Sequence, residues 1–382
     1  MSYKAFLIFF LCIGILFAEH KTDAQSSLKS SYQDKFMVGA ALSGYRIMGR
    51  DPKAMDLVRE QFNTLTAEND MKWERIHPEP GRYNFKVADR FVEFGEAQGM
   101  HMVGHTLIWH NQTPRWVFED GRGKLTCRDT LLARMRNHIH TLMGRYRGKI
   151  HGWDVVNEAV NEDGTLRNSL WRQIIGDDYI ERAFTYAREA DPEARLIYND
   201  FSLAGKAKRE GIIRMVRDLQ RKGIRVDAIG MQGHYDLNYP ALKGLEASIV
   251  AFSELGVEVM ITELDVSVLP WPDLRPGAEI SGRMDYRPEL DPYQEGLPAT
   301  VQEDLAQRYS ALFKVFTRHS DKITRVTFWG VDDGRSWKNN FPVRGRTDYA
   351  LLFDRKLQPK PAFRAVIIAG SQTLNPKPLS PD

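Results

Sequence analysis

The stretch Thr130–Glu158, TLLARMRNHIHTLMGRYRGKIHGWDVVNE, contains one complete unit of the fold. Its first half, Thr130–Arg145, spaces apolar residues as a helix does, with Leu131, Met135, Ile139 and Leu142 on one face. Gly148 punctuates the chain. Ile150–Glu158 then follows as a short run dense in apolar and β-branched residues that ends on polar Asn157 and Glu158. A helix, a glycine and a buried strand in that order feed a parallel sheet.

The same rhythm recurs outward in both directions. Strand-like runs lie at Phe36–Leu42, Phe62–Ala67, His101–Trp109, Ile150–Glu158, Arg195–Asp200, Ala228–His234, Val257–Asp265 and Arg325–Val331. Helically spaced stretches separate them, including Val87–Gln98, Tyr179–Ala190, Glu210–Lys222, Leu245–Leu255 and Glu303–Phe316. Gly99, Pro192, Gly223 and Gly256 mark further helix-to-strand junctions. Eight such units favour an α/β fold of the (β/α)8 TIM-barrel kind, a single catalytic domain over residues 30–370. On pattern alone, a doubly wound open sheet is the alternative. One long Pro- and Gly-rich insertion, residues 267–300 with LPWPDLRPG at Leu269–Gly277, follows the seventh strand. It is either a wall of a binding groove or a tolerated surface excursion. Residues 371–382 read as a loose tail.

Net charge is +3 with both signs mixed along the chain, and no Lys/Arg block with interleaved aromatics occurs, which argues against a nucleic-acid partner. Lys4 followed by the apolar run Ala5–Ala18 and small Ala24 reads as a secretory signal peptide, residues 1–24, cleaved after Ala24. That run is shorter than the ~18 residues of a spanning helix, so no membrane span is expected after cleavage, and the product is secreted or periplasmic. Cys12 lies inside the run, leaving Cys127 as the mature chain's only cysteine, so neither a disulfide nor a Cys-based metal site is expected. No cofactor is implied, and a monomer is the default.

Residues two apart on a barrel strand share a face, and the C-terminal strand ends meet at one mouth. Polar and aromatic groups collect there: Glu68 and Asn69, His105 and Trp109, Asn157 and Glu158, Gln232 and His234, Glu263 and Asp265, then Trp329 with Trp337 just beyond. Each polar group left unpaired in such a place costs on the order of 1–3 kcal/mol. A lone Glu would be a satisfied structural group, but convergence from five or more strands points to chemistry. Two carboxyl groups on different strands suit glycoside hydrolysis, and aromatic rings suit the flat apolar faces of sugars. Asn157, Gln232, Lys72 and His105 suit hydroxyl recognition. Trp109 and Trp153 read equally well as core packing.

At these residues the sequence closely resembles glycoside hydrolase family 10, the retaining endo-β-1,4-xylanases. The matching motifs are TAENDMKW (Thr66–Trp73), GHTLIWHNQTPRW (Gly104–Trp116), WDVVNE (Trp153–Glu158), GMQGHY (Gly230–Tyr235), ITELD (Ile261–Asp265) and FWGVDDGRSW (Phe328–Trp337), in family order across Phe36–Ala369. The resemblance implies xylan and xylo-oligosaccharides as substrate, Glu158 as general acid/base and Glu263 as nucleophile. It also implies a His234–Asp265 relay holding Glu263, and Asn157 on the 2-hydroxyl of the sugar being cleaved. Glu68, Asn69, Lys72, His105, Trp109, Gln112 and Gln232 would line the non-reducing subsites under Trp329 and Trp337, with Tyr198 toward the leaving group. Retention requires the two carboxyls about 5–5.5 Å apart, Glu158 protonated and Glu263 ionised.

Three rivals remain at this level. A glucanase or mannanase on the same barrel would have to fit a hydroxymethyl group that Lys72, Trp329 and Trp337 are expected to crowd. A metal-dependent hydrolase would use His105, His110 and His234, although no strand carries a His-x-His pair. A xylan-binding protein with a dead site would leave both Glu positions unexplained.

Overall fold

The computed structural model describes residues 27–272 and 284–371. The expected signal segment, the tail from residue 372 onward, and residues 273–283 of the insertion lie outside them. Among the described residues there are nine strands: β1 (Met37–Leu42), β2 (Thr64–Ala67), β3 (His101–Ile108), β4 (Gly152–Asn157), β5 (Arg195–Asp200), β6 (Ala228–Met231), β7 (His234–Asp236), β8 (Glu258–Ser267) and β9 (Ile323–Phe328). All pair in parallel from β1 through β6, with β8 joining β6 to β9 and β9 returning to β1. The ring closes as an eight-staved barrel, and the open-sheet alternative falls. Helices between the strands form the outer layer, among them Lys86–Gln98, Arg128–Arg145, Tyr179–Ala190, Lys206–Arg221, Leu242–Ser253 and Ala299–Arg318.

The sixth stave differs from its reading as one strand, Ala228–His234. It breaks into β6 and β7 around Gly233, whose φ of 87° lies in the left-handed region. A side chain there would press on Ile261 and Leu264 of β8. Hydrogen bonding survives the break, because Glu263 N donates to Gln232 O at 2.7 Å and Asp265 N to Gly233 O at 3.2 Å. The kink leaves β7 paired with β8 from His234↔Asp265 onward. It therefore sets the two residues side by side.

Alternation along the strands sorts the core into two shells. Outward residues such as Trp153, Val155 and Val156's neighbours in the helices, including Met135, Ile139 and Leu142, build the large apolar shell. Inside the barrel, Val103, Ile197, Ala228 and Met260 form a separate apolar cluster. One alternation further toward the mouth, the interior turns polar with His105, Asn199 and Thr262, all buried. Arg325 is also fully buried there and donates to Thr66 Oγ1 at 3.1 Å. Burial pulls its pKa down to about 10, with the charges of Asp154 and Glu263 acting the other way. Trp153 is thus core, as the packing alternative had it.

The described part of the insertion packs against the loop that follows β9. Ser267 Oγ donates to Asp348 at 2.6 Å, Met284 bridges to Val343, and Tyr349 Oη donates to Tyr293 O at 2.9 Å.

Gly104 illustrates how tightly the outer shell is filled. A Cβ there would overlap the indole of Trp153, which is 1% exposed and has no room to yield. Gly104→Ala should cost roughly 1–3 kcal/mol, read as a lower denaturant midpoint at unchanged slope.

Candidate active site

The C-terminal strand ends open into a cleft of about 330 Å³. Glu68, Asn69, Lys72, His105, Trp109, Gln112, Asn157, Glu158, Gln232, His234, Glu263, Trp329 and Trp337 line it. The geometry thereby brings together in one place all but two of the residues singled out from sequence.

Glu158 caps β4 and sits at a φ of 58°, a left-handed conformation costly for a side chain bearing Cβ. Its amide donates to Asn199 O at 2.9 Å and its carbonyl accepts from Arg167 Nε at 2.9 Å, which hold the turn. Gln112 (φ 46°) and Ser202 (φ 56°) share that conformation and line the same cleft. Strain of about 1–3 kcal/mol per such residue persists only where surroundings enforce it, and it gathers at functional sites.

The two carboxyl groups have different surroundings. Glu158 Oε2 accepts from Trp109 Nε1 at 2.9 Å, and Oε1 from Gln232 Nε2 at 3.0 Å and Asn157 Nδ2 at 3.3 Å. Burial pushes its pKa up, and the nearby charges of Asp200 and Glu263 add to the rise against those neutral donors. Glu263 Oε1 accepts from Asn199 Nδ2 at 2.7 Å, and Oε2 lies 3.2 Å from His234 Nε2. Burial pushes Glu263 up as well, but the His234 hydrogen bond and the charges of His105, His234 and Lys72 outweigh it and hold the carboxyl below its usual range.

His234 faces a carboxylate with each ring nitrogen, Nδ1 being 3.0 Å from Asp265 Oδ2. Both nitrogens act as donors only in the imidazolium. Burial opposes that charge, yet the Asp265 carboxylate and the two hydrogen bonds raise the pKa to about 9. Asp265 is fully buried behind His234, outside the cleft lining, where Trp337 Nε1 donates to its Oδ2 at 2.7 Å. Lys338 Nζ lies 3.4 Å from Oδ1, close to the rings of Trp271 and Trp337.

On the opposite wall, Lys72 Nζ donates to Asn69 Oδ1 at 2.9 Å and Gln112 Oε1 at 3.0 Å, 4.9 Å from the centre of the Trp109 ring. His105 Nδ1 lies 2.8 Å from Asp154 Oδ2, and the Trp329 ring meets His105 edge to face at 5.2 Å. Trp337 stacks on Phe341 with centroids 5.0 Å apart. Among the described residues no cluster of His, Cys, Asp or Glu is arranged to hold a metal ion.

Tyr198 is the correction. It is fully buried, donates its hydroxyl to Asp200 Oδ2 at 2.5 Å and accepts from Ala159 N at 3.1 Å, so it supports the site from behind and does not face the cleft. The neighbouring Asn199 was the residue missed. It is the penultimate residue of β5, a strand that also ends on polar residues, Asn199 and Asp200. Trp271, Lys338 and Phe341 come from loops, where no strand periodicity points to the cleft.

Comparison with known proteins agrees with the motifs. The model of glycosyl hydrolase family 10 matches residues 27–369. The chain is 45% identical over 358 residues to endo-1,4-beta-xylanase A of Xylanibacter ruminicola, with 93% of this chain and 97% of that protein covered. Its fold is similar to that of a GH10 endoxylanase retrieved from a sugarcane soil metagenome, at a TM-score of 0.87 and 44% identity, covering 90% and 99% of the two chains. An intracellular xylanase from Thermoanaerobacterium saccharolyticum has a TM-score of 0.78 at 37% identity, covering 90% and 99%.

The raised pKa of His234 has a stability consequence with a definite sign. Its pairing stabilises the folded chain fully below the unfolded value of about 6.5 and is lost as pH climbs through about 9. The stability gap between the parent and His234→Gln should therefore narrow from pH 6 to pH 10, by on the order of 2 kcal/mol, in denaturation series run at each pH.

Proposed function

The chain belongs to glycosyl hydrolase family 10, and on that premise we propose that it is a retaining endo-1,4-β-xylanase, with Glu158 as acid/base and Glu263 as nucleophile. What carries the reading is the unequal environment of two carboxyl groups in one cleft: burial and like charges around Glu158, an imidazolium and an ammonium around Glu263. An acid must begin protonated and a nucleophile ionised, and these surroundings favour those states.

In the first step Glu263 attacks the anomeric carbon, the glycosidic C–O bond breaks, and the Glu158 proton passes to the departing oxygen. Forming the ester removes the Glu263 charge. The pKa of Glu158 then falls, so it stands ionised and free to accept a proton. It takes a proton from water as the water oxygen attacks the anomeric carbon, the ester bond breaks, and Glu263 returns as a carboxylate with the β-configuration kept. His234, held by Asp265, steadies the Glu263 anion before attack. Lys72, Asn69, Gln112 and Glu68 supply donors and acceptors for hydroxyls on the glycone side, and Trp329 and Trp337 supply apolar surface. Asn157, with its amide shared between Glu158, Asn199 and Gln232, is placed to meet a 2-hydroxyl. Xylan as substrate rests on the relatives' activity, and export rests on Lys4 and the Ala5–Ala18 run.

Glu263→Ala should abolish turnover of xylan and aryl xylosides alike. Glu158→Ala should keep the first step on substrates with an activated aryl leaving group, and added azide should yield a β-xylosyl azide. An α-azide, or full activity in Glu263→Ala, would overturn the assignment. Xylan hydrolysis far exceeding that of carboxymethyl cellulose and mannan in one assay checks the substrate. For the parent, kcat/KM on xylan should be bell-shaped in pH. Its acid limb should lie below the ordinary carboxylate range, set by Glu263, and its alkaline limb above that range, set by Glu158.

A further inference from the structure

Behind Glu158 lies a buried ion pair that the proposed chemistry does not use. Lys208 is fully buried, and its Nζ lies 2.9 Å from Asp200 Oδ1 and 3.2 Å from Glu162 Oε1. The same ammonium sits 3.7 Å from the centre of the Phe201 ring. Asp200 is fully buried too, and its other oxygen accepts from Tyr198 Oη at 2.5 Å and from Val160 N at 3.4 Å. Tyr198 Oη in turn accepts from Ala159 N at 3.1 Å. One carboxylate thus anchors the two residues that directly follow Glu158, the residue in the left-handed conformation.

A carboxylate this deep is costly unless partnered, and here one cation, Lys208, and three donors, Tyr198 Oη, Val160 N and Phe201 N, surround it. Lys208 cannot reach Glu158 to pair with it directly, since its ammonium is taken up by Asp200 and Glu162. The charge of Asp200 bears on Glu158. The charged groups facing Glu158 come from several elements: Asp200 from β5, Glu263 from β8, Lys72 from the turn after β2, and Arg167 on its carbonyl oxygen. Around Asp200 stand Lys208 from the helix Lys206–Arg221, Tyr198 from its own strand, and Tyr179 from the helix Tyr179–Ala190. Glu263 loses its charge in the covalent intermediate, whereas Asp200 keeps its charge throughout the cycle.

We propose that Asp200, paired with Lys208, is a positioning residue for Glu158: it fixes the strained turn that aims the carboxyl and sets a carboxylate behind it. The proposal rests on the acid/base reading of Glu158. Asp200 also favours the protonated form when Glu158 must surrender and regain its proton around the intermediate, so the swing in basicity comes from Glu263 alone.

Asp200→Asn keeps the shape and removes the charge. The alkaline limb of kcat/KM on xylan should move toward acid by about 1 pH unit. Activity on xylan at pH 8 should fall more than activity on a dinitrophenyl β-xylobioside, whose leaving group needs no proton. If the single variant folds poorly, Asp200→Asn with Lys208→Gln leaves no unpaired buried charge and should shift the limb the same way. A limb unmoved, or moved toward alkali, in whichever of these folds would make the pair merely structural and overturn the proposal. Failure of azide to rescue Glu158→Ala would instead overturn the acid/base reading itself, so the two failures are told apart.

Discussion

Two carboxyl groups that share one buried cleft repel each other, and the site depends on keeping them in opposite protonation states. The amides between them orient both groups without adding charge. Gln232 and Asn157 donate to Glu158, while Asn199 divides its Nδ2 between Asn157 Oδ1 at 2.9 Å and Glu263 Oε1 at 2.7 Å. Thr262 Oγ1 donates to Asn199 Oδ1 at 2.6 Å and fixes its flip. A neutral bridge orients both carboxyls, and full charges arrive only from the outside: His234 and Lys72 toward Glu263, Asp200 toward Glu158. In a buried setting those outer charges act with little screening.

The barrel makes this arrangement affordable. Its interior is apolar at Val103, Ile197, Ala228 and Met260 and becomes polar one layer up, so rigid strands rather than loops carry the reacting groups. All four oxygens of the two cleft carboxyls have a partner, as a low-dielectric site demands. The left-handed Glu158, Gln112 and Ser202 and the kink at Gly233 are departures from regular geometry, and each turns a side chain or strand toward the cleft.

The two faces of the site are supported in a parallel manner. Behind Glu263 stands Asp265, buried with His234, Trp337 and Lys338; behind Glu158 stands Asp200, buried with Tyr198 and Lys208. Each carboxyl of the pair has a second carboxylate at its back. Through a histidine cation the effect on Glu263 is to favour charge, whereas Asp200 acts on Glu158 directly and disfavours it.

The eight-staved barrel and the list of cleft residues were legible in the sequence because period-two strands, helical spacing and polar strand ends are local patterns. Glu158, Gln232 and Glu263 each follow an apolar run near a strand's C-terminal end, and their convergence at one mouth marks them. Local pattern could not show that Gly233 splits a strand, since an isolated glycine in an apolar run reads the same kinked or straight. The family resemblance, in turn, put Tyr198 in the cleft, where the structure does not have it. A tyrosine two residues before a strand end sits on one of two faces, and only the hydroxyl's partners, Asp200 and Ala159 N, decide which. Which amide meets which carboxylate, and which buried carboxylate stands behind each Glu, joins residues far apart along the chain. Residue type and spacing set what each group can donate or accept, but only the closed barrel sets the distances over which they do so.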